Sequence, residues 1–484
     1  MTSSWQKNVI KQSEIDCYLK DGKDFIDEDL IWKQINTSVN PTETEILKII
    51  EKSRNLERLE PEETAKLINV TDPQLLAEMK KAALEIKEHV YGRRIVTFAP
   101  LYVSNYCVNN CAYCGYRTVN SKIKRQQLTD DELRAEISAL IDEGHKRLVM
   151  VYGEHPLSDW DYIARTLEIA YSVKNPPSGE IRRANVNAAP LSIDHLKELK
   201  KVGIGTYQIF QETYHRETYR KMHPENTIKG NFRWRLYGLH RCMDAEVDDV
   251  SIGALFGLYD WRFEVMGLLN HTIDIEKRYN GVGPHTISFP RMEPAIGTPF
   301  TKTSPYLVDD DTFEKIIVIL RLSVPYTGLI LTARESEAVR KRMLKCGVTQ
   351  LDFGSNIGVG SYTEHKRNPD KEQFVLSDTR SLDEGIKWLS EEGHISSFCT
   401  AGYRCGRTGG MFMDIAKKGK VNELCMPNAI LTFSEYLLDY ASEKTKKIGL
   451  QLVENEINAL NSKKAATVRS LLEKVKNGER DIYV

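Results

Sequence analysis

Eight short apolar runs alternate with amphipathic segments along the middle of the chain, at 95–102, 147–152, 181–187, 206–210, 249–254, 285–289, 328–331 and 349–353. The stretches 128–143, 191–201, 261–278, 311–322 and 336–345 between them carry apolar residues at helical spacing. Parallel strands need helical crossovers, and this count and order supply them. The pattern therefore predicts an α/β fold, a (β/α)8 TIM-type barrel, over 91–365. A helical N-terminal extension over 1–90 precedes it. There, Pro61-Glu-Glu-Thr reads as a helix start, and Leu75, Leu76, Met79, Ala82, Ala83 and Ile86 recur at helical spacing. A C-terminal domain over 366–484 follows, Gly-rich at first and ending in a charged, amphipathic tail from 442 that reads as a solvated helical face.

Positive and negative side chains nearly cancel, 67 against 68. That excludes the basic footprint of a nucleic-acid binder or of a protein held on an anionic membrane. No apolar run approaches membrane-spanning length, and the first residues lack a signal-type apolar core, so a cytoplasmic protein is expected. The nine cysteines stand at 17, 107, 111, 114, 242, 346, 399, 405 and 425. Their two groupings read as metal ligands rather than a disulfide framework.

Cys107-Val-Asn-Asn-Cys111-Ala-Tyr-Cys114 is spaced C-x3-C-x2-C, with no fourth cysteine near. Zinc sites want four ligands, usually in pairs. Three thiols instead suit three irons of a 4Fe–4S cluster, whose fourth iron stays open to a small molecule. The spacing resembles the signature of radical S-adenosylmethionine (SAM) enzymes, in which SAM chelates that iron and is cleaved to a 5′-deoxyadenosyl radical. Cys107 directly follows the first strand, which puts it at the strand C-termini, where barrels keep their chemistry.

The resemblance then becomes denser. Arg93 through Arg117, Gly144-His-Lys-Arg, Phe210-Gln-Glu-Thr-Tyr-His215, Gly283-Pro-His-Thr-Ile-Ser288, Val324-Pro-Tyr-Thr-Gly328 and Gly406-Arg-Thr-Gly409 resemble the HydG family, the tyrosine lyases that mature iron-only (FeFe) hydrogenase. The resemblance implies cleavage of the tyrosine Cα–Cβ bond to p-cresol and dehydroglycine. In the family, dehydroglycine goes on to carbon monoxide and cyanide at a second iron–sulfur cluster in the C-terminal extension. It also implies SAM as cofactor, tyrosine or a similar aromatic amino acid as substrate, and a reduced ferredoxin- or flavodoxin-type electron donor.

Carried onto this chain, Cys107, Cys111 and Cys114 become the cluster ligands. Tyr113 sets an aromatic against the SAM adenine or simply packs, and Gly153-Glu154 receives the SAM amino group. Arg334 anchors the substrate carboxylate with its guanidinium fork, or else forms a barrel-top salt bridge with Glu335 or another acid; Arg291 has a similar claim. Gln211, Glu212 and Tyr214 leave the fourth strand as a dense polar set, and such polarity needs partners. They are expected to address the SAM ribose or the substrate.

Two departures stand out. The family's second cluster uses C-x2-C-x22-C, but here Cys399 and Cys425 flank Gly402, which has no side chain to ligate iron. Cys405 could substitute, as C-x5-C-x19-C. In the helix holding His271, the resemblance implies a second histidine, an iron ligand in the family, where Asp274 stands. Three readings follow: a tyrosine lyase of hydrogenase maturation, a divergent paralogue with another aromatic substrate or without carbon monoxide and cyanide formation, and a non-catalytic iron–sulfur or zinc scaffold.

Overall fold

A computed structural model describes residues 4–365 and 367–484 of the chain. Eight parallel strands form the barrel: β1 (Arg94–Ser104), β2 (Arg147–Tyr152), β3 (Arg183–Asn187), β4 (Tyr207–Glu212), β5 (Val250–Ala254), β6 (Thr286–Ser288), β7 (Gly328–Leu331) and β8 (Gln350–Asp352). Each pairs with the next, and β8 closes on β1, setting Val96 opposite Gln350 and Phe98 opposite Asp352. The expected barrel is therefore present, with strand ends shifted by a few residues. A ninth strand, β9 (Ile395–Ser397), joins the sheet at the foot of β1, with Arg94 opposite Ile395. β1 is 11 residues long, so it serves β9, β8 and β2 in turn.

Side chains alternate in and out along each strand. Phe98, Val149 and Ile330 form a small buried cluster of their own, apart from the large core between strands and helices. The helices start where the sequence supplies caps. Thr42, Thr129 and Ser381 each close a capping box with the glutamate three residues on, and Asp72 caps a helix that begins at Pro73.

The N-terminal helices Glu28–Thr37, Glu43–Arg54, Pro61–Ile68 and Pro73–Tyr91 pack on the barrel's own helices Trp261–Arg278 and Asp310–Ser323. The C-terminal region adds Leu382–Glu391, Val421–Asp439, Glu443–Ala459 and Ser462–Lys476. Residues just beyond 366 do not leave the barrel at once; Gln373 returns to the mouth, where its carbonyl accepts from the Gly115 N–H at 3.0 Å. No helix among the described residues is long and apolar enough to cross a membrane.

Candidate functional site

The three cysteines sit in the loop leaving β1, on the face where the strands end. This loop is pinned by its own backbone: Val108 N–H donates to the Glu154 carbonyl at 2.8 Å, and Ala112 N–H to that of Met222 at 3.1 Å. At the end of β2 the approach is so close that a Cβ on Gly153 would lie 2.1 Å from the Tyr106 carbonyl oxygen. Gly153→Ala should therefore push the cysteine loop away from β2. We expect a cost of about 1–3 kcal/mol, as for other overpacked sites, read as a lower Tm together with lower iron retention after reconstitution.

Cys111 is buried, and Cys107 and Cys114 are half-buried. Burial pushes the Cys111 thiol up to about 12 and raises that of Cys107, with Cys114 adding to the rise at Cys107. The protein alone thus favours the protonated thiol at Cys107 and Cys111, and a bound metal is what would hold them as thiolates. Amide donors reach two of them: Gln373 Nε2 lies 3.3 Å from Cys114 Sγ, and Asn109 Nδ2 lies 3.7 Å from Cys107 Sγ. Hydrogen bonds of this kind tune a cluster's potential. Among the described residues no three His, Cys, Asp or Glu side chains converge as the ligands of one ion do.

All three cysteines line one cavity of about 200 Å³ at the mouth. Glu154 is buried there, and its Oε2 accepts from Asn109 Nδ2 at 2.5 Å. Its Oε1 has no partner among the described residues. Burial raises its pKa. A buried, unanswered acceptor beside the cysteine loop fits the SAM ammonium. Tyr113, hydrogen-bonded to His223 at 2.8 Å, shares an apolar patch with Cys111, Leu255 and Met292, a wall suited to a flat ring.

Glu212 also lines the cavity. It sits at a bulge between β4 and β5 with φ of 73°, a strained backbone of the kind found beside active sites. Burial pushes its carboxyl up, but Lys229 at 2.7 Å and Arg235 at 3.4 Å outweigh that and hold it below its ordinary value. Arg334 lies across the cavity with its guanidinium carbon 3.4 Å from the centre of the Phe374 ring. Among the described residues it has no carboxylate within 4.0 Å. Glu335 is engaged instead by Arg291, which also pairs with Asp310 at 2.8 Å.

Three expected residues lie elsewhere. Arg291 belongs to that rim clamp and does not line the cavity. Gln208, Phe210 and Glu212 face inward, so Gln211 between them points outward, buried with neither amide atom partnered. Tyr214 is behind the wall, its hydroxyl 2.8 Å from His271 Nδ1 and its ring against Gly267 of the helix Trp261–Arg278. Lys229, Arg235, Glu293, Gln373 and Phe374 complete the mouth and were not expected there. They sit mostly on connecting segments without periodic pattern, and no local signal marks them.

Comparison with known proteins decides the family. The radical SAM superfamily pattern matches residues 101–266, and that of the biotin and thiamin synthesis associated domain matches 288–395. A HydG crystal structure, a maturase of the FeFe-hydrogenase, superposes with a TM-score of 0.91 at 46% identity, covering 96% of this chain and 100% of that one. The chain belongs to the HydG family. The HydG of Carboxydothermus hydrogenoformans aligns with a TM-score of 0.79 at 35% identity over 96% of this chain and 99% of its own. The 2-iminoacetate synthase of Escherichia coli (strain K12) is 28% identical over 346 residues, 71% of this chain and 88% of that protein. As a radical SAM superfamily member, this HydG-family chain takes a 4Fe–4S cluster and SAM, which the cysteine loop and Glu154 fit.

In the second cysteine group, two of the three thiols share one space and the third stands apart. Cys399 and Cys425 line a space of only about 10 Å³, together with Gly402 and Arg94. That is room for roughly one water. Cys405 is not part of it; its Sγ lies 3.8 Å from the Val484 carbonyl oxygen. Arg94 is buried beside the pair with its Nε unpartnered. Asp274 has no bearing on this site: its carboxylate accepts from His240 Nε2 at 2.8 Å and Arg278 Nε at 2.7 Å. His271 on the same helix meets Phe25 of the N-terminal extension, with ring centres 5.2 Å apart.

Proposed function

We propose that this chain is a radical SAM lyase that cleaves the Cα–Cβ bond of tyrosine to p-cresol and dehydroglycine, with a ferredoxin- or flavodoxin-type protein as reductant. One observation carries the reading: a single cavity holds three cluster-type thiols, an unanswered carboxylate oxygen on Glu154 and a guanidinium on Arg334 without a carboxylate partner. When bound, the cluster and SAM supply a 5′-deoxyadenosyl radical that abstracts hydrogen from the substrate. Cys107, Cys111 and Cys114 hold the cluster, and Glu154 accepts the SAM ammonium. Tyr113 and its apolar neighbours face the adenine, while Arg334 fixes the amino-acid carboxylate so that the reacting hydrogen is presented in one orientation. Buried walls keep water from the radical. Incubating reduced, reconstituted protein with SAM and tyrosine should give p-cresol and 5′-deoxyadenosine; deoxyadenosine without p-cresol would refute tyrosine as the substrate.

The second cysteine site supports a chain whose chemistry stops at these organic products. With only the first cluster, reconstituted protein should carry about four irons, and Cys399→Ala should leave that number unchanged. Iron near twice that value, lost on the substitution, would show that the second site is loaded. Carbon monoxide trapped by a haem protein would make the same point.

A further inference from the structure

The mouth carries a second group without a partner. Of the charged side chains lining the cavity, Glu212 is held by Lys229 and Arg235, while Glu154 is held on one oxygen by Asn109 and keeps the other for the SAM ammonium. Asp352 accepts from the Ala333 N–H at 2.7 Å and from Ser355 Oγ at 2.6 Å. Arg334 and Glu293 remain, and among the described residues neither has an ion-pair partner within 4.0 Å.

Their placement is fixed by neighbours. Glu293 follows β6 and Arg334 follows β7, strands paired with Ser288 opposite Ile330. Two residues before Glu293, Arg291 grips Glu335, the residue after Arg334. That half-buried pair ties the two loops together and leaves the opposite pair, Glu293 and Arg334, facing the cavity. A loose acid and a loose base in one pocket match a zwitterion.

We propose that Glu293 is the second anchor of the amino-acid substrate, receiving its ammonium while Arg334 holds its carboxylate, and that it takes one proton from that ammonium. The proposal rests on the tyrosine-lyase reading. Zwitterionic tyrosine must lose one nitrogen proton to leave as the imino carboxylate. In this step an N–H bond breaks, its electron pair stays on nitrogen, and an O–H bond forms on Glu293.

The environment suits that task. Burial, and then Glu335, push the Glu293 carboxyl up to about 7, while Arg334 and Arg291 pull the other way. General bases work best with a pKa near the operating pH.

The test compares reconstituted wild type, Glu293→Gln and Glu293→Asp. For the wild type, kcat/KM for tyrosine should rise as pH passes through about 7. Glu293→Gln should raise KM by roughly 10- to 100-fold, the cost of one charge-assisted hydrogen bond, and should flatten the pH profile; Glu293→Asp should restore part of both. Unchanged KM and an unchanged pH limb in Glu293→Gln would overturn the proposal.

Binding gives a readout independent of turnover, from thermal shifts with tyrosine, tyramine and 3-(4-hydroxyphenyl)propionate in the presence of SAM. Glu293→Gln should abolish the preference for tyrosine over the analogue lacking an amino group while keeping that over tyramine. Retained preference overturns the proposal. If the wild type forms no p-cresol, the lyase reading fails, and these shifts still decide whether Glu293 binds an ammonium.

Discussion

Cys111→Ala should abolish both p-cresol and 5′-deoxyadenosine. Even partners of metal ligands, when mutated, cost about 10- to 100-fold in metal affinity or activity, so losing a ligand should cost more than about a hundredfold. The same loss is expected at Cys107 and Cys114, because each thiol holds its own iron. Cys242 and Cys346 provide the contrast. Both are fully buried, Cys242 in a helix beside the barrel and Cys346 in a short turn after another, and burial raises both thiols. Cys242→Ala should lower stability by a small cavity cost and leave product formation per bound cluster intact. Iron analysis and product chromatography on the same samples separate the two classes. A Cys111→Ala protein that still cleaved SAM would remove the cluster from the mouth.

Replacing Arg334 should cost nearly as much, but at a different step. Its guanidinium contacts the Phe374 ring and nothing charged among the described residues, so Arg334→Gln should fold as the wild type does. The substrate carboxylate then loses a two-point partner. Truncating one side of a desolvated charge pair costs about 2–5 kcal/mol, or roughly 30- to 5,000-fold in kcat/KM. Arg334→Lys should recover little, because an ammonium lacks the planar fork. SAM cleavage without tyrosine should persist in both variants, since Glu154 and the cysteines are untouched. An unchanged kcat/KM for tyrosine in Arg334→Gln would place the carboxylate elsewhere.

The barrel was legible because its signal is repetitive: eight strand-length apolar runs with helix-length amphipathic runs between them. The cysteine loop was legible because three thiols at fixed spacing have few other uses. The rest of the mouth was harder to read. Glu212 was singled out with Gln211 and Tyr214, yet period-two alternation turns only Glu212 inward, and Tyr214 lies past the strand against an outer helix. Arg334 carried two readings, substrate anchor or barrel-top salt bridge, and a long-range contact explains why the bridge to Glu335 is absent, since Arg291 engages Glu335 first. Glu293 and Gln373 reach the mouth from segments far apart in sequence, which no local pattern records. Asp274, which stands where the family has a histidine, is a half-buried carboxylate satisfied by His240 and Arg278.

The account turns on an open iron at the mouth that takes SAM, with the amino acid beside it. Electron paramagnetic resonance of the anaerobically reduced protein tests this directly. The reduced-cluster signal should shift when SAM is added and shift again with tyrosine, because both ligands enter the cavity that holds the thiols. A signal indifferent to SAM would contradict the account at its base.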